Sequence, residues 1–475
     1  HDNYRNHWSN LYCWTFREML GLDRFSGVSE NSNTANSFGI DWIFITTYIL
    51  DLDFLLTELP ELADIKIVVV VYQYKDESIS GREEHWKQQA KNKGFRVILL
   101  CRDPRAMPQS STNPLQHTMD YGCHHTKMVL MGYSSGRLRV NIHTSNLRRE
   151  DIHDKCQGAF LQDFLPKTED QLCAFESSAF EESLVTYLES YHFLELLDWE
   201  TDTAETLVSH LQTYDFSKAV GILVPSIPGY HTKISMENDN QLYGYLKVQQ
   251  AIRDHCTRGE NNPGSIVCQF SSMGSLSRPY LNKIADAWNV ASAGVALRKK
   301  KSYKPGEQQS YSFLKIVWPT MQEIVASVEG ARGGASVPGR SKNLNKDFLR
   351  PLLHRWKSEK DDEDDDEDDD DLQHLKGNHV PHIKSYYQQA NNDANANDTN
   401  TNDMHWFVLS SHNLSKAAWG ELQNRRDYTS RNGDTIETLV IQHWELGIFL
   451  SPSTLGVHAM GAMDRSYKPN AGRAV

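Results

Sequence analysis

Two copies of one short pattern limit the possible folds of this 475-residue chain more than any other feature. The pattern is a histidine and a lysine one residue apart, then an apolar run, and then an asparagine that follows a strand-like run. Its positions are His125, Lys127 and Asn146 in the first copy, and His382, Lys384 and Asn413 in the second. The chain is therefore expected to fold as two similar halves, each carrying one copy.

The residue types in this pattern suit an anionic phosphoryl group. Residues i and i+2 of a strand point to the same face, so a His-x-Lys pair presents an imidazole and an ammonium group together. A carboxamide from the neighbouring strand can donate a hydrogen bond to the same anion. We predict two half-sites that face each other, although a single His-x-Lys pair is also common on an exposed strand without function.

The remaining sequence predicts an α/β fold with mixed sheets. Strand-like runs such as IKIVVVVY are apolar on both faces, as strands covered by helices on two sides are, and they alternate with helical stretches. We predict a boundary near Tyr214, with domains at residues 1–214 and 215–475. Among the helices, we expect one long helix over residues 173–197 and another over residues 413–422.

The acidity of the chain is confined to one segment. Its formal charge is −13, but the uninterrupted acidic run from Asp361 to Asp371 contributes eleven negative charges, and without that run the formal charge is −2. Blocks of like charge repel themselves and are typical of solvated loops. We expect surface loops for this acidic insert, at residues 359–371, and for an Asn-rich insert at residues 391–403. A docking site for a basic protein is the alternative for the acidic insert, and a nucleic-acid substrate is not excluded.

Seven scattered cysteines without a C-x-x-C spacing fit reduced thiols better than a disulfide framework or a zinc ribbon. Cys123 lies close to His117, His124 and His125, but neighbouring strand residues point to opposite faces, so His124 and His125 are poorly placed to bind one ion. We predict neither a metal nor another cofactor. No apolar run has transmembrane length, and we expect no membrane partner.

The stretch from Gly132 to Gly136 spells G-x-S-x-G, the sequence of a hydrolase nucleophile elbow. That motif requires a strand before it and a helix after it, whereas the strand-like run RLRVNIH follows here. We therefore predict a hairpin turn at this position.

Six stretches around the two patterns carry a family resemblance: HHTKMVLMGY, VNIHTSNLRREDIHDKCQG, VCQFSSMGSLS, VPHIKSYY, SSHNLSKAAWG and ELGIFLSP. They span about residues 120–452 and resemble the tyrosyl-DNA phosphodiesterases that clear adducts from DNA 3′ ends, a branch of the phospholipase D superfamily. The wider superfamily has an aspartate five positions after the lysine, where this sequence has Gly132. In this branch the downstream Asn146 and Asn413 take the place of that aspartate.

The resemblance implies two similar α-β-α sandwich domains, phospholipase D-like, with a pseudo-two-fold active site at their interface. It implies that His125 is the nucleophile that forms a phosphohistidine, and that His382 is the general acid and then the base. Six other residues would support this chemistry. They are Lys127, Lys384, Asn146 and Asn413, which would bind the phosphoryl oxygens, and Gln157 and Glu445, which would hold the histidines from behind.

Nine further residues match stretches with which the family contacts DNA. Tyr121 stands where the family stacks an aromatic ring on a base, with Tyr in place of the more usual Phe, and both offer a π face. The others offer hydroxyl and backbone N–H groups, some near a helix start, which are good phosphate ligands. They are Ser272, Met273, Gly274, Ser275, Leu414, Ser415, Lys416 and Ala417.

The sequence as a whole thus leads us to expect a DNA repair hydrolase. It would cleave the bond between a DNA 3′ phosphate and a tyrosine or peptide left by a topoisomerase, on single- or double-stranded ends, and other 3′ blocking groups as well. We expect a metal-independent nuclear monomer, and because the chain begins at His1 and stops at Val475, we expect missing segments at both ends. The alternatives are another phospholipase D-type phosphodiesterase or nuclease, and a non-catalytic single-stranded DNA- or histone-binding protein.

Overall fold

The computed structural model describes residues 15–22, 39–75, 81–101, 122–191, 206–232, 242–256, 264–291, 309–356, 379–389, 404–429 and 435–456. Tyr121 and both predicted inserts, at residues 359–371 and 391–403, lie outside the described residues. No helix in the described ranges is long and apolar enough to cross a membrane.

Strands and helices alternate along the described chain. The strands are β1 (Ile40–Leu50), β2 (Ile67–Lys75), β3 (Arg96–Cys101), β4 (Met128–Tyr133), β5 (Leu138–His143), β6 (Lys155–Cys156), β7 (Ala159–Phe164), β8 (Ile222–Ser226), β9 (Gly229–His231), β10 (Ile266–Gln269), β11 (Leu314–Val317), β12 (Leu353–His354), β13 (Val380–Pro381), β14 (Ser385–Gln389), β15 (Met404–Ser410), β16 (Glu421–Thr429), β17 (Thr435–Ile441) and β18 (Glu445–Leu450). The helices are α1 (Phe16–Met19), α2 (Leu52–Glu58), α3 (Arg82–Asn92), α4 (Arg149–His153), α5 (Glu169–Cys173), α6 (Ala179–Glu189), α7 (Leu207–Leu211), α8 (Gly244–His255), α9 (Arg278–Trp288), α10 (Met321–Val325), α11 (Ser341–Leu344) and α12 (Lys416–Trp419).

Two large sheets share one topology. The first has the strand order β3-β2-β1-β4-β5-β7, and the second has the order β12-β11-β10-β14-β15-β18-β8. In each sheet the first three strands run parallel, and the strands that follow pair antiparallel. This repetition confirms the predicted α/β fold of two similar halves with mixed sheets. The boundary near residue 214 stays a prediction.

Three apolar cores fill the layers between sheets and helices. One core lies between the outer face of the first sheet and α1 to α3, and another lies between the second sheet and helices α8 and α9. The third contains Phe44 and Leu130 of the first sheet together with Leu409 and Ile448 of the second, and Tyr187 of α6 packs among them. The two halves are therefore joined by a common core, which fixes the position of one sheet relative to the other.

Local structure departs from the sequence prediction in two helices. The single helix predicted over residues 173–197 is wrong near its start, because Phe175 between α5 and α6 has a φ of 51°, where an L residue rarely sits and a helix is interrupted. Residues 192–197 of that prediction lie outside the described residues. α6 then starts anew, with the Ser178 side chain accepting the Glu181 N–H as its cap. The helix predicted over residues 413–422 is also too long, since Gly420 has a φ of 86° and β16 begins directly after it.

The hairpin predicted at residues 132–136 is confirmed. β4 and β5 pair antiparallel, and Tyr133 N donates to Arg137 O at 2.9 Å across the turn. A strand on each side of the turn excludes the strand-turn-helix geometry of a nucleophile elbow.

Candidate active site

Each His-x-Lys pair lies directly before a central strand of its sheet. The prediction had placed the pair within a strand. His125 and Lys127 precede β4, and His382 and Lys384 lie between β13 and β14. β4 and β14 occupy the same place in the order of their sheets. Both lysines fold back in the same way: Lys127 Nζ donates to His125 O at 2.5 Å, and Lys384 Nζ to His382 O at 2.7 Å.

Antiparallel pairing brings each asparagine to its pair. β5 and β15 run antiparallel to β4 and β14, so their last residues lie beside the starts of those strands. In the first half His143 N donates to Lys127 O at 3.1 Å, and in the second Ser410 N donates to Lys384 O at 3.0 Å. The asparagines that follow three residues later are Asn146 and Asn413.

Backbone hydrogen bonds tie each histidine to the opposite half of the chain. The short strand β6 of the first half pairs in parallel with β13 of the second, and Cys156 O accepts from both His382 N and Ile383 N at 2.9 Å. On the other side, His125 N donates to Trp444 O at 2.9 Å. The two histidine segments therefore line one seam between the halves.

A carboxylate of the second half holds the histidine of the first half. The His125 Nδ1–H group donates to Glu445 Oε2 at 2.9 Å, and the Glu445 side chain is only 1% exposed. A proton on Nδ1 leaves Nε2 as the nitrogen with a free lone pair in the neutral ring. Tyr48 places its ring edge-on to the imidazole, with the centroids 5.1 Å apart. Glu445 thus determines which nitrogen of His125 can act.

An amide of the first half holds the histidine of the second half. Both Gln157 amide atoms lie 3.1–3.2 Å from His382 Nδ1, and the other partners of Gln157 fix its orientation. Its Nε2 donates to Asp151 O at 2.9 Å, and its Oε1 accepts from the Thr144 hydroxyl at 2.7 Å. Lys384 Nζ lies 3.2 Å from His382 Nε2 and can only donate, so the neutral ring carries its proton on Nδ1, and Oε1 is the atom that accepts this Nδ1–H group. The two polar residues behind the histidines thus come from opposite halves.

Burial makes both imidazoles poor proton acceptors. It lowers the pKa of His125 to about 4; Glu445 opposes this shift, and Lys127 adds to it. Burial and then Lys384 lower the pKa of His382 well below 6.5. Lys384 also lowers the pKa of His125, and Lys127 that of His382, so the charges of each half act on the other.

The two lysines are fully buried cations. Burial lowers the pKa of Lys127 to about 8, and the negative charge of Glu445 opposes this shift. Burial, followed by repulsion from Lys127, lowers the pKa of Lys384 well below 10.5. Ammonium groups removed from water favour an anion beside them.

The asparagines are anchored differently. Asn413 Oδ1 accepts from Ser271 N at 3.2 Å and Ser272 N at 3.0 Å, which turns the amide so that its Nδ2 is left to donate elsewhere. Asn146 Nδ2 donates to Asp151 Oδ2 at 2.6 Å, while its buried Oδ1 has no hydrogen-bond partner. That these two side chains bind phosphoryl oxygens stays a prediction.

Asp151 is a functional candidate that the sequence did not reveal. Its carboxylate forms an ion pair with Lys155, accepts from Asn146, and lies 4.0 Å from His382 Nδ1. Burial raises the pKa of Asp151, but the charges of His382 and Lys155 and the hydrogen bonds from Lys155 and Asn146 outweigh it, and the pKa falls below its usual value. Asp151 is thus an anion on the His382 side, where Gln157 supplies no charge.

The first predicted DNA-contacting stretch is partly buried. Ser275 is exposed and Ser272 is half-buried, whereas the Met273 side chain lies in the core at 3% exposure and its N–H donates to Pro338 O. Lys346 Nζ donates to Ser275 Oγ at 3.1 Å, so a cation that the sequence did not single out stands beside this stretch.

The second predicted stretch begins at Asn413 and caps a helix. Ser415 Oγ accepts the Ala418 N–H at the start of α12, Lys416 is exposed, and Leu414 is fully buried. Because Asn413 Oδ1 accepts two N–H groups of residues 271–272, the two stretches lie side by side. The hydroxyls and Lys416 can face a phosphate, and Met273 and Leu414 could offer only backbone groups.

Gly132 stands where the wider superfamily has its aspartate, and a tryptophan occupies that space. β1 and β4 place Trp42 opposite Gly132, and a Cβ atom on Gly132 would lie 2.0 Å from the indole nitrogen. Trp42 is buried, with 5% exposure. The missing aspartate is therefore replaced by a packed ring, and no carboxylate fits there without moving it.

Within the described ranges, no group of three or more His, Cys, Asp or Glu side chains could hold a metal ion. His124 is fully buried, and its Nε2 pairs with the Tyr191 hydroxyl at 2.8 Å. Its ring thus packs in the protein interior beside an aromatic neighbour.

Comparisons with known proteins identify a family for this chain. A family model described as tyrosyl-DNA phosphodiesterase matches residues 34–472. Tyrosyl-DNA phosphodiesterase 1 of Arabidopsis thaliana is 28% identical over 456 residues, which cover 94% of this chain and 60% of that protein. The Drosophila melanogaster protein of the same name is 29% identical over 332 residues, which cover 69% of this chain and 50% of that protein. The chain spans about half to 60% of the length of these two relatives.

Among solved structures, the crystal structure of the yeast tyrosyl-DNA phosphodiesterase matches with a TM-score of 0.58 and 16% sequence identity. The match covers 89% of this chain and 85% of the yeast chain. At this level of identity the likeness concerns the fold, which is that of two α-β-α halves.

Proposed function

The chain belongs to the tyrosyl-DNA phosphodiesterase family, and from that premise we propose that it hydrolyses the bond between a DNA 3′ phosphate and a tyrosine. One observation carries the proposal. The Nδ1 atoms of His125 and His382 are each held by a polar side chain of the opposite half, Glu445 and Gln157, beside two buried lysines. Two oriented imidazoles and two cations on one seam are what a two-step phosphoryl transfer needs.

In the first step, His125 Nε2 attacks phosphorus and the bond from phosphorus to the tyrosine oxygen breaks. With a pKa of about 4, His125 is neutral at pH 7 and holds its lone pair on Nε2. His382 donates a proton to the departing phenolate oxygen, which leaves as tyrosine. The product of this step is DNA joined through its 3′ phosphate to His125.

In the second step, water attacks the phosphohistidine. His382, now neutral, takes a proton from that water, the P–N bond breaks, and Nε2 of His125 regains its lone pair. DNA leaves with a 3′ phosphate. One imidazole thus gives a proton to the tyrosine and takes another from water in each cycle.

The low pKa of His382 sets a condition on this scheme. In the empty site Lys384 and Lys127 disfavour its protonated form, after burial itself. A bound phosphodiester brings a negative charge between the lysines, which removes part of that repulsion and raises the pKa. Asp151, 4.0 Å from Nδ1, acts in the same direction. His382 therefore takes up, when the substrate binds, the proton that it later donates to the tyrosine oxygen.

Charge on the phosphoryl oxygens would be met by the two lysines and two asparagines. Lys127 and Lys384 supply positive charge in a site shielded from water, and Asn413 has its amide turned to donate. Preorganised donors of this kind typically stabilise a transition state by about 2.7–4 kcal/mol each. These four side chains would then stabilise the negative charge that develops on the phosphoryl oxygens.

The DNA strand would lie along the stretches at residues 272–275 and 413–417. Their hydroxyl groups, with Lys416 and Lys346 beside them, suit backbone phosphates and carry no base readout. A 3′ end of either single- or double-stranded DNA, with a peptide from a stalled topoisomerase, is the proposed substrate. We propose a nuclear location, because such a substrate forms on nuclear DNA, and a monomer, because a single chain holds both half-sites.

The two alternative functions are less well supported. An aspartate-dependent phospholipase D mechanism lacks its aspartate, because Trp42 fills the space beside Gly132. A non-catalytic DNA- or histone-binding protein would have no need for two histidines oriented from behind.

A 3′-phosphotyrosyl oligonucleotide incubated with the protein and a chelator tests the proposal. We expect an oligonucleotide that ends in a 3′ phosphate, together with free tyrosine, and no cleavage by His125→Ala. An intact substrate after incubation with wild-type protein that binds the oligonucleotide would refute the proposed activity.

A further inference from the structure

Two buried hydroxyl groups occupy matching places in the two half-sites. Each belongs to the residue two positions before the asparagine, Thr144 in the first half and Ser411 in the second. Each hydroxyl donates to the polar residue behind a histidine: Thr144 to Gln157 Oε1 at 2.7 Å, and Ser411 to Glu445 Oε2 at 2.5 Å.

The surrounding backbone holds both hydroxyls in the same way. Thr144 Oγ1 accepts the N–H of Gly158 and Ser411 Oγ that of Leu446, each at 3.0 Å, and both donors directly follow the polar residue. The backbone N–H of each hydroxyl residue donates in return to the carbonyl of the same neighbour, at 3.1 Å and 3.0 Å. The backbone N–H occupies a lone pair of each hydroxyl and leaves its proton to point to the polar side chain, whose oxygen is the nearest acceptor at 2.7 Å and 2.5 Å.

In the second half this arrangement fixes a carboxylate. Glu445 Oε2 accepts from both the Ser411 hydroxyl and His125 Nδ1–H, and it is fully buried. Without the hydroxyl, Oε2 would keep a single described partner, and the carboxylate could rotate toward His443, whose Nδ1 lies 3.5 Å from Oε1. The ring of His125 would follow it.

In the first half the arrangement selects one orientation of an amide. A carboxamide can turn by half a rotation and exchange its oxygen and nitrogen. The Thr144 hydroxyl, as a donor, requires the oxygen of Gln157 on its side, and this same oxygen accepts from His382 Nδ1–H. A turned amide would present an N–H group to Nδ1 and oppose the protonated form of His382.

We propose that Ser411 and Thr144 are positioning residues, one for each histidine: Ser411 orients His125 through Glu445, and Thr144 orients His382 through Gln157. This inference rests on the proposed function. It assigns the two hydroxyls to different steps, because His125 forms the covalent intermediate and His382 resolves it. Loss of the Ser411 hydroxyl should therefore slow formation of the covalent intermediate, and loss of the Thr144 hydroxyl should slow its hydrolysis.

Single-turnover kinetics with Ser411→Ala and Thr144→Val test the assignment. The substrate is an oligonucleotide with a 3′-(4-nitrophenyl) phosphate, whose leaving group departs with little help from an acid. We expect Ser411→Ala to slow the release of nitrophenolate by about tenfold or more, without accumulation of the intermediate. Thr144→Val should release nitrophenolate at nearly the normal rate, and the covalent protein–DNA intermediate should then be hydrolysed about tenfold more slowly than in wild type.

Three further variants separate positioning from packing. Ser411→Thr and Thr144→Ser keep the hydroxyl and should restore most of the rate. Ser145→Ala removes a neighbouring buried hydroxyl, one that donates only to the Asn146 carbonyl, and should behave as wild type. The inference would be overturned if the hydroxyl-keeping variants were as slow as Ser411→Ala and Thr144→Val. It would also be overturned if Ser411→Ala and Thr144→Val slowed the same step.

Nitrogen NMR of the histidine rings gives a readout that needs no turnover. Ser411→Ala should change the protonation equilibrium of His125 and leave that of His382 unchanged, and Thr144→Val should do the reverse. If wild-type protein does not cleave the substrate, the proposed function fails and these spectra still decide the positioning. Unchanged ring spectra in both folded variants would overturn the inference even if cleavage is normal.

Discussion

Replacing Glu445 by glutamine should slow the first chemical step without preventing binding of DNA. During attack, His125 gains positive charge as Nε2 bonds to phosphorus, and the buried carboxylate 2.9 Å from Nδ1 stabilises that charge. Glutamine keeps the shape and, with its oxygen toward Ser411, can still accept Nδ1–H. It loses the charge, and its amide nitrogen takes the place of the oxygen 3.5 Å from His443 Nδ1.

The loss of transition-state stabilisation in this variant can be bounded from below and from above. A hydrogen bond to a charged partner exceeds a neutral one by about 1.5 kcal/mol, which is the smaller limit. Two unit charges about 4 Å apart at an effective dielectric constant of about 20 attract by about 4 kcal/mol, which is the larger one. We therefore expect the first step to slow by about 10- to 1000-fold. Protonation cannot account for this loss, because Glu445 raises the pKa of His125 and its removal leaves the ring neutral at pH 7.

The assay is a quenched-flow single turnover on a 3′-phosphotyrosyl oligonucleotide with excess protein. Tyrosine release reports the first step, fluorescence anisotropy reports DNA binding, and thermal unfolding confirms that the variant is folded. A release rate within about threefold of wild type, in a folded variant, would refute the claim that this carboxylate stabilises charge on His125.

Other perturbations test separate parts of the account. The ratio kcat/KM should fall below about pH 4, where His125 becomes protonated. It should also decline as the pH rises above the pKa of free His382, because that ring takes up its proton with the substrate, and more steeply above about pH 8, where Lys127 loses its charge. A slope that stays unchanged across pH 8–10 would show that Lys127 does not bind the phosphoryl group. Gly132→Asp should destabilise the fold by roughly 1–3 kcal/mol or more, because its side chain would overlap Trp42, and unchanged denaturant unfolding would contradict this packing. Deletion of residues 361–371 should leave cleavage of short oligonucleotides nearly unchanged, and a large loss would show that the insert contributes to the site.

The sequence predicted the features that follow from local patterns. The apolar runs identified most strands of the two large sheets but not β7, β12 or β14. The repeated His-x-Lys and asparagine positions identified the two half-sites, because strand periodicity and residue chemistry are readable within a few positions. The break at Phe175 was not readable, since a continuous helical pattern hides a single left-handed residue.

Long-range contacts account for most of what the sequence could not supply. No local pattern indicates that Gln157 stands behind His382, 225 positions later, except through family resemblance. The approach of Asp151 to His382 and the packing of Trp42 over Gly132 likewise depend on how the sheets pair. The pKa values of the histidines depend on burial, which the sequence alone does not give.

The most direct test of the central claim is to identify the residue that becomes joined to DNA. In His382→Asn the intermediate should form and persist, because asparagine cannot take a proton from water. Mass spectrometry of the trapped species, after nuclease and protease digestion, should then find phosphate on His125. A covalent adduct on another residue, or efficient cleavage by wild type with no adduct in any trapped sample, would contradict the mechanism.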